Sequence, residues 1–245
     1  MTAGHMTIWE HLSELRSRLF KSVLAIAIAA VIGWFLYSPV LQWLEAPYSE
    51  VQPDASLIAT TPLQAFGLRM KLSVAIGIAL AMPILLWQVW RFVTPGLYPK
   101  ERKYAIPFIL SSLVLFIFGA GVAYFVLNPT LEFLTNVGGS EIQPFYTADS
   151  YVTLIVFMML AFGVGFEVPV LLVALQLIGV LTPKRLLQWW RPAVVIIAVV
   201  AAVITPSADP ISLLALLIPM VLLYLLSIGI GWLLLKTRHR SQVEK

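Results

Sequence analysis

Six runs of apolar residues, at 19–43, 63–90, 104–127, 151–178, 187–204 and 211–235, leave this chain one class of fold. A helix crosses the roughly 30 Å hydrocarbon core of a bilayer with about 20 mostly apolar residues. Lipid offers no partner to a backbone N–H or C=O, so each run must close its own hydrogen bonds as a helix. The 245 residues are 60% hydrophobic and 11% charged, and the mean hydropathy is +0.92, values that a soluble domain does not reach. We therefore expect an all-α, six-span membrane domain over 1–245, with 236–245 as a tail and no room for a sizeable soluble domain. The first run is too long for a cleavable signal peptide and lacks a small-residue site behind it.

Basic residues orient the spans, because Lys and Arg collect on the cytoplasmic side of membrane proteins. Arg16, Arg18 and Lys21 precede the first span, and Arg91, Lys100, Arg102 and Lys103 lie between the second and third. Lys184, Arg185 and Arg191 lie between the fourth and fifth, and Lys236, Arg238, Arg240 and Lys245 follow the sixth. The loops 44–60, 128–150 and 205–210 hold no Lys or Arg. Both termini are thus expected in the cytoplasm, and the net charge of +4 reads as topology and not as a nucleic-acid footprint.

Two basic residues break the pattern. Thr61-Pro62-Leu63-Gln64 has the form of a capping box with proline at the first helical position, so the second helix should start at Pro62 and place Arg69 and Lys71 at the outer interface, snorkelling. The fifth span has the opposite problem: only 193–204 separates Pro192 from Thr205, too short for the core, which predicts local thinning beside short fifth and sixth spans. Pro83 and Pro219 predict kinks that would curve the helices into a concave, cup-like wall.

Chemistry-bearing residues are few. There is no cysteine, and His5, His11 and His239 all lie near the chain ends, so thiolate, imidazole and metal chemistry inside the membrane is not expected, nor is a cofactor. Thr7-Ile8-Trp9-Glu10 is a second capping box, starting the first helix at Ile8. Ile8, Leu12, Leu15 and Leu19 recur at helical spacing and would lay this stretch along the membrane or a neighbouring helix, which places Glu14 on the opposite, wet side, paired with Arg18 at i,i+4. Pro95-Gly96 marks a turn between the second and third spans; Pro99 suits the start of the third helix and Glu101 its first turn. Glu14 and Glu101, on helix starts, could accept guanidinium groups in fork geometry.

Glu167 lies near the middle of the fourth span, where an ionisable group costs about 2.5 to 3.5 kcal/mol and is functional by default. Gln88 and Gln176 are the expected hydrogen-bond partners, Gly163 and Gly165 permit a close helix approach, and Pro169 predicts a kink. Trp34, Trp43, Trp87, Trp90, Trp189 and Trp190 read as interfacial belts.

HLSELRSRL at the N-terminus, FVTPGLYPKER between spans two and three, FGVGFEVPV around Glu167 and the TPSADP turn together resemble, in order and spacing, the TatC family of twin-arginine translocase core subunits. The resemblance covers nearly the whole chain. It implies a non-enzymatic receptor that binds twin-arginine signal peptides at the cytoplasmic face of the plasma (inner) membrane and exports folded proteins using the proton-motive force. It implies peptide contacts at Glu14, Glu101, Arg16, Phe92, Pro95, Leu97 and Arg102, and contact with the single-span partners TatA and TatB at Glu167. Pro47 and Asp209 match outer-loop positions linked to assembly, and self-association of the chain is implied as well.

Two other classes were weighed. A proton-coupled small-solute transporter would use Glu167 as its relay, but the two halves of the chain show no inverted repeat. An intramembrane protease lacks a His or Asp within the spans to activate a nucleophile.

Overall fold

The computed structural model describes residues 8–52, 57–93, 105–137, 139, 146–207 and 209–243, and the described residues are helical throughout apart from short connections. The helices are α1 (Ile8–Val51), α2 (Pro62–Val93), α3 (Ala105–Val137), α4 (Ala148–Gly165), α5 (Val168–Leu177), α6 (Pro183–Gln188), α7 (Trp190–Ile204) and α8 (Pro210–Val243). Five apolar stretches are long enough to cross a membrane: Leu12–Val51, Pro62–Phe92, Ile106–Val137, Ala148–Leu177 (α4 with α5) and Pro210–Lys236. The fifth expected span is α7, a shorter apolar helix of 15 residues, or about 22 Å at 1.5 Å per residue.

α2 begins at Pro62, as its cap predicts, whereas α1 is helical from the first described residue and the expected cap at Thr7 lies outside the described residues. Gln64 Oε1 accepts from Thr60, through both backbone N (2.6 Å) and Oγ1 (2.9 Å), one residue earlier than the capping-box register expected. Thr147 and Thr182 cap α4 and α6 through Ser150 N and Arg185 N.

Ends differ from expectation. α1 runs on to Val51 and α3 to Val137, so much of the expected loops 44–60 and 128–150 is helix, and Pro47 sits inside a helix, buried, not in an outer loop. Proline there removes one helical donor without ending the helix, because another group replaces it. Pro47 has no N–H for the carbonyl of Trp43 four residues back, and Tyr124 Oη donates to that carbonyl at 3.0 Å with its ring stacked on Trp43 at 4.2 Å. The next carbonyl, Leu44, accepts from buried Tyr151 Oη at 2.7 Å. α8 spans 34 residues and continues through 236–243 of the expected tail, so the sixth span is long, not short. α2 and α8 pass through Pro83 and Pro219 as continuous helices.

The span built of α4 and α5 is the most enclosed. Tyr151, Val152, Ile155, Met158, Phe162 and Phe166 are at most 2% exposed and form the centre of the core, against Leu44 of α1, Leu72 of α2, Leu127 of α3 and Leu216 of α8. The α3–α4 crossing needs glycine: a Cβ on Gly119 would stand 2.6 Å from the Phe162 carbonyl oxygen, and one on Gly163 would stand 2.6 Å from the Phe116 ring. Polar ties add to the packing, with Thr130 and Ser212 hydroxyls 2.8 Å apart between α3 and α8, and Tyr224 Oη on the Leu186 carbonyl at 2.7 Å.

Arg69 and Lys71 do more than snorkel. The Arg69 guanidinium lies over the Trp34 ring at 4.4 Å and donates to the Trp34 carbonyl at 3.2 Å. Lys71 Nζ reaches Asp149 Oδ1 at 2.7 Å and Thr153 Oγ1 at 2.6 Å, fastening α2 to α4. Spacing along one segment showed neither partner, since both lie on other helices.

The Tyr124 hydroxyl should be worth about 1 kcal/mol, as a bond to an otherwise donorless carbonyl. Tyr124→Phe is expected to lower stability by that amount in denaturation of the detergent-solubilised protein. The loss should vanish in a Pro47→Ala background, where residue 47 regains an N–H; an unchanged loss there would refute the replacement.

Candidate functional site

Two groups of expected site residues fall on the described helices. The first is at the start of α1. Glu14 pairs with Arg18 through its Oε1, one turn apart. The side chains of Glu14 and Arg18 are only 21% and 14% exposed, whereas Leu12, Leu15 and Leu19 are exposed. The leucines look outward, as a stripe laid along the membrane would, whereas Glu14, expected on the wet side, is partly covered. Its second oxygen, Oε2, is buried and accepts nothing. Arg16 is exposed and borders a surface hollow with Ser13, Ser17 and Phe20, so the structure separates it from Glu14. Phe92 closes α2 and is half-buried. Pro95, Pro99, Leu97, Glu101 and Arg102 lie outside the described residues.

The second group surrounds Glu167. Pro169 supplies no N–H to the carbonyl of Gly165 four residues earlier, and the helix breaks there, between α4 and α5. Phe166 N still bonds the Phe162 carbonyl at 2.9 Å, and Glu167 N tightens onto Val164 at 3.1 Å. Glu167 stands at this break, with Phe166 beside it fully buried. Its carboxyl borders a groove of about 230 Å³ between α2, α3 and α5, which Ser112, Trp90 and Phe108 also line. Glu167 Oε1 is buried without a hydrogen-bond partner. The expected partners are elsewhere: Gln176 donates to the carbonyls of Leu172 (3.2 Å) and Ser227 (3.1 Å), and Gln88 does not line the groove. Ser112 is the polar side chain facing Glu167 there.

Trp90 corrects a further expectation. Trp87, Trp189 and Trp190 are exposed, as a belt residue would be. Trp90 is 6% exposed and stacked on Phe108 at 4.7 Å, inside the groove. Its i,i+3 spacing from Trp87 on α2 places the two rings on adjoining faces, and sequence alone did not say which faced inward.

Asp209 is 3% exposed and immediately precedes α8. Its Oδ1 accepts from Ser212 N at 2.8 Å, as a helix cap does, and Oδ2 accepts from the Ser207 hydroxyl. This cap fixes the start of α8. Among the described residues no group of three or more His, Cys, Asp or Glu is gathered for a metal ion.

The chain's relatives share the helical fold on which these two sites lie. The sequence profile of the TatC family, the Sec-independent protein translocase protein, matches residues 10–219. The chain is 38% identical to the Sec-independent protein translocase protein TatC of Frankia casuarinae, over 94% of this chain and 66% of that one. It is 36% identical to that of Aquifex aeolicus, over 98% of this chain and 100% of that one. Two crystal structures of the twin-arginine translocase receptor TatC, one of them in the detergent DDM, superpose with TM-scores of 0.77 and 0.79 at 37% identity, covering 91% of this chain and 99% of each of those. These findings do not favour the solute-transporter reading. The chain belongs to the TatC family: it is a multi-pass membrane protein and a component of the Sec-independent, twin-arginine protein translocase, with a transport and not a catalytic role.

Proposed function

We propose that this chain is the signal-peptide receptor of its translocase, a single six-span domain in the plasma membrane with both termini in the cytoplasm. It binds the arginine pair of a signal peptide at Glu14 and Glu101, and Phe92, Pro95, Leu97, Arg102 and Arg16 complete the surface. TatA- and TatB-type single-span subunits join at Glu167, copies of the chain associate with one another, and the proton-motive force drives folded cargo across.

The observation that carries the peptide reading is the state of Glu14: one oxygen held by Arg18, the other buried and uncommitted. A guanidinium arriving there meets a carboxylate already fixed in place, which suits fork-like pairing. The basic surroundings expected at this face repel an arginine pair at long range. Selectivity therefore has to arise at contact distance, and the arriving arginine competes with Arg18. The exchange of one cation for another keeps the net gain small, as a receptor that must release its peptide requires.

Glu14→Lys combined with Glu101→Lys should abolish preferential recovery of a twin-Arg signal peptide over its twin-Lys version when the two are co-purified with the protein. Recovery of the twin-Arg peptide unchanged by the double reversal would end the receptor assignment. Arg18→Gln, which frees Glu14, should raise twin-Arg recovery about two-fold, on the scale of an i,i+4 pair.

A further inference from the structure

Two guanidinium groups at the junction of α6 and α7 are held in place by the fold without a carboxylate to meet them. The Arg185 guanidinium stands 5.2 Å from the centre of the Trp189 ring, and that of Arg191 stands 5.4 Å from the centre of the Trp190 ring. A guanidinium lying over a ring keeps its N–H donors free around its edge. Among the described residues the ion pairs are Glu14 with Arg18 and Asp149 with Lys71, so no carboxylate pairs with either arginine. The platform beneath them is fixed: Pro183 and Leu186 are buried, and Tyr224 Oη of α8 donates to the Leu186 carbonyl at 2.7 Å.

This half of the chain offers no counter-charge. Between Val168 and Val243 six Lys and Arg, at 184, 185, 191, 236, 238 and 240, lie at the end where α7 starts and α8 finishes, and the one acidic residue, Asp209, caps α8 beyond the opposite end of α7. The anion must therefore come from outside, and the surroundings say which kind. Leu187, Trp189 and Trp190 are exposed, and exposed Val195, Ile196 and Val199 continue that surface along α7. Tryptophan rings on the outside of a span sit at headgroup level. α7 has 15 residues, about 22 Å against a core of roughly 30 Å, which draws the headgroups inward towards the rings and arginines. A soluble anion would leave the apolar strip uncovered, whereas a lipid brings a phosphate and acyl chains in one molecule. A zwitterionic lipid also brings an ammonium, which these cations repel, so the charge balance favours a net anionic one. We propose that Arg185 and Arg191, set on Trp189 and Trp190, bind the phosphate of an anionic phospholipid whose acyl chains lie along α7. The proposal is independent of how signal peptides are recognised.

The test places the full-length protein in nanodiscs of equal parts phosphatidylglycerol and phosphatidylcholine with matched acyl chains, and native mass spectrometry counts the lipids retained on release. Phosphatidylglycerol should be retained about tenfold over phosphatidylcholine. Arg185→Gln combined with Arg191→Gln should remove most of that preference. Arg185→Lys combined with Arg191→Lys keeps both charges but loses the planar fork and the ring stacking, and should remove most of it too. A lysine variant that keeps the whole preference would reduce the site to diffuse attraction and overturn the proposal. Equal retention of the two lipids by the unaltered protein overturns it without any variant, and leaves the arginines to an acidic protein partner. Excess inorganic phosphate should not displace the retained lipid; displacement would mark a site for free anions and overturn the lipid assignment.

Discussion

Hydrocarbon gives no water to a backbone group that lacks a partner, and most irregular features of this fold are answers to that constraint. Each proline placed inside a span removes a donor from the carbonyl four residues before it. At Pro47 the answer is a phenol from another helix, Tyr124 on α3, and α1 continues. At Pro169 no such replacement is made, and the span divides into α4 and α5 with Glu167 at the division. At Pro210 the missing donor is harmless because the residue opens α8, and Asp209 caps the free N–H of Ser212. The same residue type thus gives a continuous helix, a break or a start, depending on what a neighbouring helix or cap supplies. The break sets Glu167 against α2 and α3, and so creates the groove.

Charges within the apolar stretches follow a similar rule. Arg69 and Lys71 are each held by groups on another helix, a ring and carbonyl of α1 for one and Asp149 with Thr153 of α4 for the other. These contacts serve as fasteners between α2 and its neighbours as well as shelter for the charge. Glu14 and Glu167 each keep one buried oxygen without a partner, and Arg69 keeps its Nε in the same state. The difference is one of sign: the spare capacity of the two carboxylates is for a donor, and binding roles are proposed for both.

Much of this was legible in the residues. The apolar helices, the start at Pro62, the shortness of the fifth span and a departure from straight helix at Pro169 all follow from local rules that one segment can satisfy alone. The misreadings share a cause: they depended on a neighbour. Loop-like composition after Trp43 and after Leu127 did not show that Tyr124 and Tyr151 would sustain α1 through Pro47. Leucines at helical spacing located an outward-facing stripe, but they did not show that Glu14 would be partly covered. Trp90 and Trp87 look alike in sequence, and only Phe108, from the next helix, separates a groove residue from a belt residue. Glu167 was found by its residue type and depth, whereas its partners were not.

α1 has a mechanical side to it. A helix of 44 residues is about 66 Å long at 1.5 Å per residue, with Glu14 near one tip and the Tyr124-braced Pro47 near the other. The tyrosine bonds at Trp43 and Leu44 hold the rod near that second tip. With that end held, Glu14 sits at the end of a lever arm of about 45 Å, and a turn of about 10° about the held end would move it by roughly 8 Å.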